Sequence, residues 1–199
     1  MTHANAPVSM DSLAILTLAL STGFATAVFN QGMGWLREVR HDSASTERDA
    51  RYLAIRLAVM LEEYAINCAD RIGDNDMHRQ SGGHAGKRWG ALPELQPYPN
   101  EDDWKALAPD LLSRVLTLRI QLSLANNAIA FWMDIDPECI PQECDQQCGR
   151  TGYAAWTLAR DMRSRYRLGT FEQGEASWVI ETLERLNEAA IKAKREQQK

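Results

Sequence analysis

Apolar and polar residues alternate along this chain in two quite different ways. From Ser12 to Leu36 there is no Asp, Glu, Lys or Arg, and Leu13-Ala-Ile-Leu-Thr-Leu-Ala-Leu20 leads into Phe24, Val28 and Phe29. Beyond Leu36, apolar residues recur every three or four positions between charged ones, the period of helices with one buried face. The two regimes predict an all-α chain: an N-terminal transmembrane helix, then a cytosolic bundle of about four helices with a long Gly/Pro-rich loop.

The charge-free run sets the first boundaries. As a helix, 13–36 is about 36 Å long at ~1.5 Å per residue, enough to span a hydrocarbon core of ~30 Å. Trp35 and Arg37 mark its exit, where an indole and a guanidinium favour the headgroup region. All 22 Lys and Arg follow Leu36. The positive-inside rule therefore puts a short tail, 1–12, outside, and 37–199 in the cytoplasm, a single-pass signal-anchor arrangement in the cell membrane. An exported protein is the rival, because Ala25-Thr26-Ala27 resembles a cleavage site, although no basic residue precedes the run. Ala19, Gly23 and Ala27 recur at four-residue spacing, as do Thr22, Thr26 and Asn30. That face suits close helix–helix packing in lipid, so a homo-oligomer through the membrane helix is expected.

In the cytosolic part, Thr46-Glu-Arg-Asp49 approximates a capping box after a polar joint at 41–45. Leu53, Leu57, Met60, Leu61, Tyr64 and Cys68 then predict a helix over 46–72, ended by Gly73. Five of the twelve glycines and three of the seven prolines fall in 73–103, which predicts a loop. Trp89, Leu92, Leu95, Tyr98 and Trp104 suggest that it is strapped over the helices rather than free.

The next segment carries a conflict. Leu116, Leu118, Ile120, Leu122 and Leu124 alternate with polar residues as a strand would, while Leu111, Val115, Leu118, Leu122, Ala125, Ile129 and Trp132 keep helical spacing over a longer window. Length favours a helix over 109–134, and a lone strand would leave its backbone groups unpaired. Asp136-Pro137 reads as the start of a helix over 137–167, with Cys144, Cys148, Thr151, Ala155, Leu158 and Met162 inward and Gly169 closing it. A last helix over 175–196 turns Val179, Leu183 and Leu186 inward, with Glu181–Arg185 and Glu188–Lys192 as surface pairs.

Composition and charge add exclusions. A net charge of −5 provides no positive field for nucleic acid. Four cysteines are too few for a disulfide scaffold, and the C-x4-C-x3-C spacing of Cys139, Cys144 and Cys148 matches no common zinc or iron–sulfur motif. Buried free thiols are the expectation.

The remaining candidate chemistry is sparse. Ser81-Gly-Gly-His-Ala-Gly-Lys87 lacks the first glycine and the final hydroxyl of a phosphate-binding loop, so Lys87 and Arg88 are expected in water. Asp74, Asp76, His78 and His84, with Asp70, are the densest set of potential metal ligands, which a loop folded back on the helix end can bring together. Glu62-Glu63 and Glu143 with Asp145 are adjacent acids of the kind that face solvent. No catalytic residue and no cofactor is assigned. The sequence favours a membrane-anchored interaction or scaffolding protein whose partners are the bilayer, another copy and an unidentified protein. A membrane-tethered metal-dependent enzyme using the Asp74 to His84 loop is the alternative.

Overall fold

The computed structural model describes residues 11–99, 101–169 and 177–197, with side chains from Thr46 onward other than those of 101–103, 193, 194 and 197. The elements are α1 (Asp11–Gln80), a 3-10 turn (Glu101–Ala106), α2 (Pro109–Ile135), α3 (Ile140–Arg165) and α4 (Ser177–Gln197). The chain divides into two compact units between Glu47 and Arg48. The membrane span expected over 13–36, with Ala19, Thr22, Gly23, Thr26, Ala27 and Asn30, lies outside the described side chains. Among the described residues, no helix is long and apolar enough to cross a membrane.

From Arg48 onward the described chain is helical, without strands. The inward positions read from the 3.6-residue period form one core: Leu53, Leu57, Leu61, Tyr64 and Cys68 of α1, Leu111, Val115, Leu118, Leu122, Ala125 and Ile129 of α2, Cys144, Cys148, Ala155, Leu158 and Met162 of α3, and Val179 and Leu183 of α4. α3 is the central helix, packed against α2 and α4 and bonded to α1 through Tyr64 Oη and Thr151 Oγ1 at 3.0 Å, both buried. Gly152 makes the three-way approach possible, because its face lies against Cys68 of α1 on one side and Leu183 of α4 on the other.

Several boundaries differ from expectation, and each has a local cause. α1 does not stop at Gly73 but continues to Gln80. Gly73 sits on an exposed face with open space around it, and a glycine costs a helix only about 1 kcal/mol relative to alanine. The turn comes later: the amides of Ser81 and Gly83 donate to the Met77 and His78 carbonyls at 3.0 and 2.9 Å, and Gly82, Gly83 and Gly86 take positive φ. Gly86 lies flat on the α1 backbone, where a Cβ would meet the His78 amide nitrogen at 2.8 Å. Only glycine lets the loop fold back so closely.

α3 begins after Cys139 rather than at Pro137, with Pro141 in its first turn. Asp136 instead accepts the Glu138 amide at 3.1 Å and the Cys139 thiol at 3.0 Å, a turn that precedes the helix. At the other end Gly169 is not the stop. Arg167 adopts φ 51°, and the amides of Leu168 and Arg167 donate back to the Arg163 and Ser164 carbonyls at 2.9 and 3.3 Å. This is the glycine-favouring Schellman arrangement, carried here by an arginine.

The loop over the helices is strapped down as expected. Leu92 and Trp104 are buried, and Trp89, Leu95 and Tyr98 pack against the core. The polar ends of the strap are also held: the Tyr98 hydroxyl donates to the Val115 carbonyl at 2.8 Å, and the Leu92 amide donates to Asn126 Oδ1 at 3.3 Å.

Candidate functional site

Two places in the helical unit have the character of a site, a cleft at one end of the bundle and the outer face of α2. The cleft, of about 810 Å³, is enclosed by the last turns of α1 at Asn75, His78 and Arg79, by Arg88 of the loop, by the first turns of α3 at Pro141 and Asp145, and by Leu186 and Ala190 of α4. Its inner wall is a polar network centred on buried Asn75 and Asp145. Asn75 Nδ2 donates to Asp145 Oδ1 at 2.7 Å, Arg79 Nη1 donates to Asp145 Oδ2 at 2.8 Å, and the Trp89 amide donates to Asn75 Oδ1 at 2.7 Å. Asp145 therefore does not face solvent as an acid beside Glu143 was expected to; it is buried. Burial pushes its carboxyl above the usual carboxylate range, against the pull of Asn75 and Arg79.

That direction has a pH consequence. The folded state takes up the Asp145 proton more readily than the unfolded chain, so the group contributes stability that grows as pH falls through its folded pKa and is complete below about 4, where the unfolded carboxyl is also protonated. Asp145→Asn keeps an oxygen for Asn75 without the charge, and is expected to remove that segment of the stability–pH curve in urea unfolding. Asp145→Leu takes the acceptor away from buried Asn75 and is expected to cost about 1 to 3 kcal/mol. Equal curves for wild type and Asp145→Asn would refute the assignment.

The four metal candidates do not converge. Asp74 Oδ2 accepts the Trp89 indole N–H at 2.8 Å, and Asp76 is paired with Arg79. His78 lines the cleft beside Gly83, and His84 is exposed. The loop does fold back on the helix, as the ligand reading required, and there its Trp89 meets Asp74 and Asn75. Among the described residues no three His, Cys, Asp or Glu side chains form a metal-holding group.

The cationic residues of the glycine-rich stretch, Lys87 and Arg88, are exposed to water as expected, and each also makes a contact. Lys87 Nζ lies 3.6 Å from the Trp89 ring centroid and the Arg71 guanidinium 4.2 Å from it, contacts in which the ring's negative face attracts the charge. Arg88 donates to the Pro137 carbonyl at 2.6 Å.

The thiols lie in the core. Cys68, Cys144 and Cys148 are buried and free, and Cys139 is partly exposed. Hydrogen bonds to Cys144 and Cys68 and burial push the Cys148 thiol up, while the Cys148 contact lowers that of Cys144. Glu62, like Asp145, does not face solvent: it is buried and takes two bonds from Arg163, to Oε1 from Nε at 2.5 Å and to Oε2 from Nη2 at 2.7 Å.

α2 resolves the strand-like alternation in its sequence. Leu118 and Leu122 are buried, while Leu116, Ile120 and Leu124 between them are exposed by 49, 62 and 61%. Positions two apart on a helix lie about 200° apart, so an alternating run supplies two opposite faces. The inner one belongs to the core. The outer one continues through exposed Phe131 and Ile135. The basic residues of α2 turn away from it: Arg114 pairs with Asp161 at 2.8 Å, and the Arg119 guanidinium lies 4.3 Å from the Tyr98 ring centroid.

No protein-family model, curated protein or solved structure matches the chain.

Proposed function

We propose that the chain is a membrane-anchored helical interaction module, held by a single span over 13–36 with its N-terminus outside and its helical unit in the cytoplasm. The observation that carries the interaction half is the outer face of α2. Five large apolar side chains, from Leu116 to Ile135, are exposed along some five turns of a helix that is already fully packed on its other side. Contiguous apolar surface of this kind marks a site of association. The anchoring half rests on the charge-free run and on the restriction of every Lys and Arg to the residues after it.

A photo-reactive group in place of the Leu124 side chain tests the first half, in cells expressing the full chain. A discrete protein adduct is expected, lost when Ile120→Glu is added; absence of any protein adduct would end the interaction reading. Alkaline extraction of membranes with protease access to a C-terminal tag tests the second. The chain is expected to stay in the pellet with its tag protected in intact cells, and release into the supernatant would remove the anchor.

A further inference from the structure

The cleft at the end of the bundle holds more hydrogen-bond donors than its own residues use. Its buried acceptors are engaged: Asp145 Oδ1 takes the Asn75 amide at 2.7 Å, Asp145 Oδ2 takes Arg79 Nη1 at 2.8 Å, and Asn75 Oδ1 takes the Trp89 backbone amide at 2.7 Å. The two guanidinium groups are not exhausted, since each carries five N–H groups. Arg79 bonds Asp145 and Asp76 through its Nη atoms, and Arg88 bonds the Pro137 carbonyl through Nη2 at 2.6 Å. Among the described residues, Arg79 Nε and Arg88 Nε and Nη1 therefore have no acceptor. Both arginines are exposed, so these donors are open to a ligand.

The start of α3 adds to the same side. Pro141 and Gln142 of its first turn line the cleft, and Cys139 before them makes no side-chain cap bond, its thiol donating to Asp136 instead. An uncapped helix start carries a further partial positive charge. The α4 side is apolar. Gly149 lets α4 settle on α3, because a Cβ there would stand 2.5 Å from Leu186 Cβ. About one turn further on, α4 lines the cleft with Ala189 and Ala190, whose short side chains leave the space of about 810 Å³ open. Small-molecule sites combine a volume of this order with apolar walls and a few converging polar groups.

We infer that the cleft binds a small carboxylic acid with a compact apolar body, its carboxylate accepting from Arg79 and Arg88 and its body lying against Pro141, Leu186 and Ala190. A carboxylate is the acceptor that the parallel N–H groups of a guanidinium match. An inorganic anion leaves the apolar wall uncovered. A cation is a poorer occupant, because both Asp145 oxygens are taken and Glu138, the other acid lining the cleft, is exposed at its rim, where water and salt screen it. The site is formed by α1, the loop, α3 and α4, and does not depend on what meets the outer face of α2.

The test is isothermal titration calorimetry of the full chain in non-ionic detergent, with detergent alone as the blank. The probe is 4-phenylbutyrate, and its comparators are 4-phenylbutan-1-ol, 4-phenylbutylamine and inorganic phosphate. One molecule of 4-phenylbutyrate per chain is expected, about tenfold or more tighter than any comparator, the factor that one hydrogen bond between charged groups contributes. Arg88→Gln is expected to weaken binding about tenfold, and Ala190→Phe, which fills the apolar end, to abolish it. Neither change removes a partner of buried Asp145, as Arg79→Gln would. Unchanged far-UV circular dichroism and urea midpoints show that the variants are folded, and Arg88→Gln carries the test alone if Ala190→Phe is not.

No saturable binding of 4-phenylbutyrate to the wild-type chain overturns the inference. So does acid binding that Arg88→Gln leaves unchanged, which places the ligand elsewhere. Equal binding of the alcohol would show an apolar pocket that recognises no head group, tighter binding of the amine the opposite charge preference, and equal binding of phosphate an unused apolar wall; each of these also overturns it.

Discussion

Arg163→Leu is expected to lower the unfolding free energy by about 3 to 5 kcal/mol, the range for breaking one side of a buried ion pair. Arg163 and Glu62 have side chains only 15 and 6% exposed, so water replaces little of what either loses. The geometry is two-pronged, Nε and Nη2 each meeting one carboxylate oxygen, and the third arm of the guanidinium reaches the Gly169 carbonyl at 2.6 Å. The carboxylate in turn holds the Arg163 guanidinium above its ordinary pKa.

Removing the arginine leaves a charge that has given up its hydration and receives nothing back. Removing both groups does not, so Glu62→Leu with Arg163→Leu is expected to recover most of the loss. Urea unfolding followed by far-UV circular dichroism distinguishes the outcomes. A cost below about 1 kcal/mol for Arg163→Leu would show that the pair is worth no more than a surface one.

Gly152→Val is expected to cost about 3 kcal/mol through overpacking. A Cβ at this position would stand 2.8 Å from Leu183 Cδ2 and 2.9 Å from Cys68 Cβ, with the two obstacles on different helices. Relief toward α1 tightens the contact with α4, and the reverse, so a close-packed interior has no direction in which to yield. Leu183→Ala in the same chain removes the obstacle on one side and is expected to make the second substitution cheaper than the sum of the two. Near-UV circular dichroism of buried Trp156, on the same helix, reports whether the packing is lost. Gly73→Ala is the control, since it sits in open space within α1 and is expected to stabilise by about 0.5 to 1 kcal/mol. A tolerated Gly152→Val would mean that α1 and α4 are not both pressed on α3.

Much of the helical unit was legible in the residue pattern. The inward positions of α1 from Leu53 to Cys68, of α2 from Leu111 to Ile129 and of α3 from Cys144 to Met162 can be read from spacing and are buried, because a helix turns its own residues with a fixed period whatever lies opposite. The strap residues Leu92 and Trp104 were legible for a related reason: a segment with that much apolar surface has to bury it.

What spacing could not settle was how each polar group is satisfied. Glu62 and Asp145 looked like solvated acids because their partners, Arg163 and Asn75 with Arg79, lie 101 and about 70 residues away along the chain. Asp74, a candidate ligand by residue type, accepts the indole N–H of Trp89, 15 residues away along the chain. The same holds for Gly73, which an open surface tolerates, and for Arg167, which turns the helix end that Gly169 was expected to turn.

The sequence by itself determined that the residues after Glu47 form amphipathic helices around one core, since amphipathicity is a property of local period. Only the tertiary structure decided that α2's second apolar face is left exposed, that Gly152 is a crossing point, and that Asp74 and Asp76 meet Trp89 and Arg79. Those facts depend on which helices come together, and a linear pattern carries the faces of a helix without naming what each one meets.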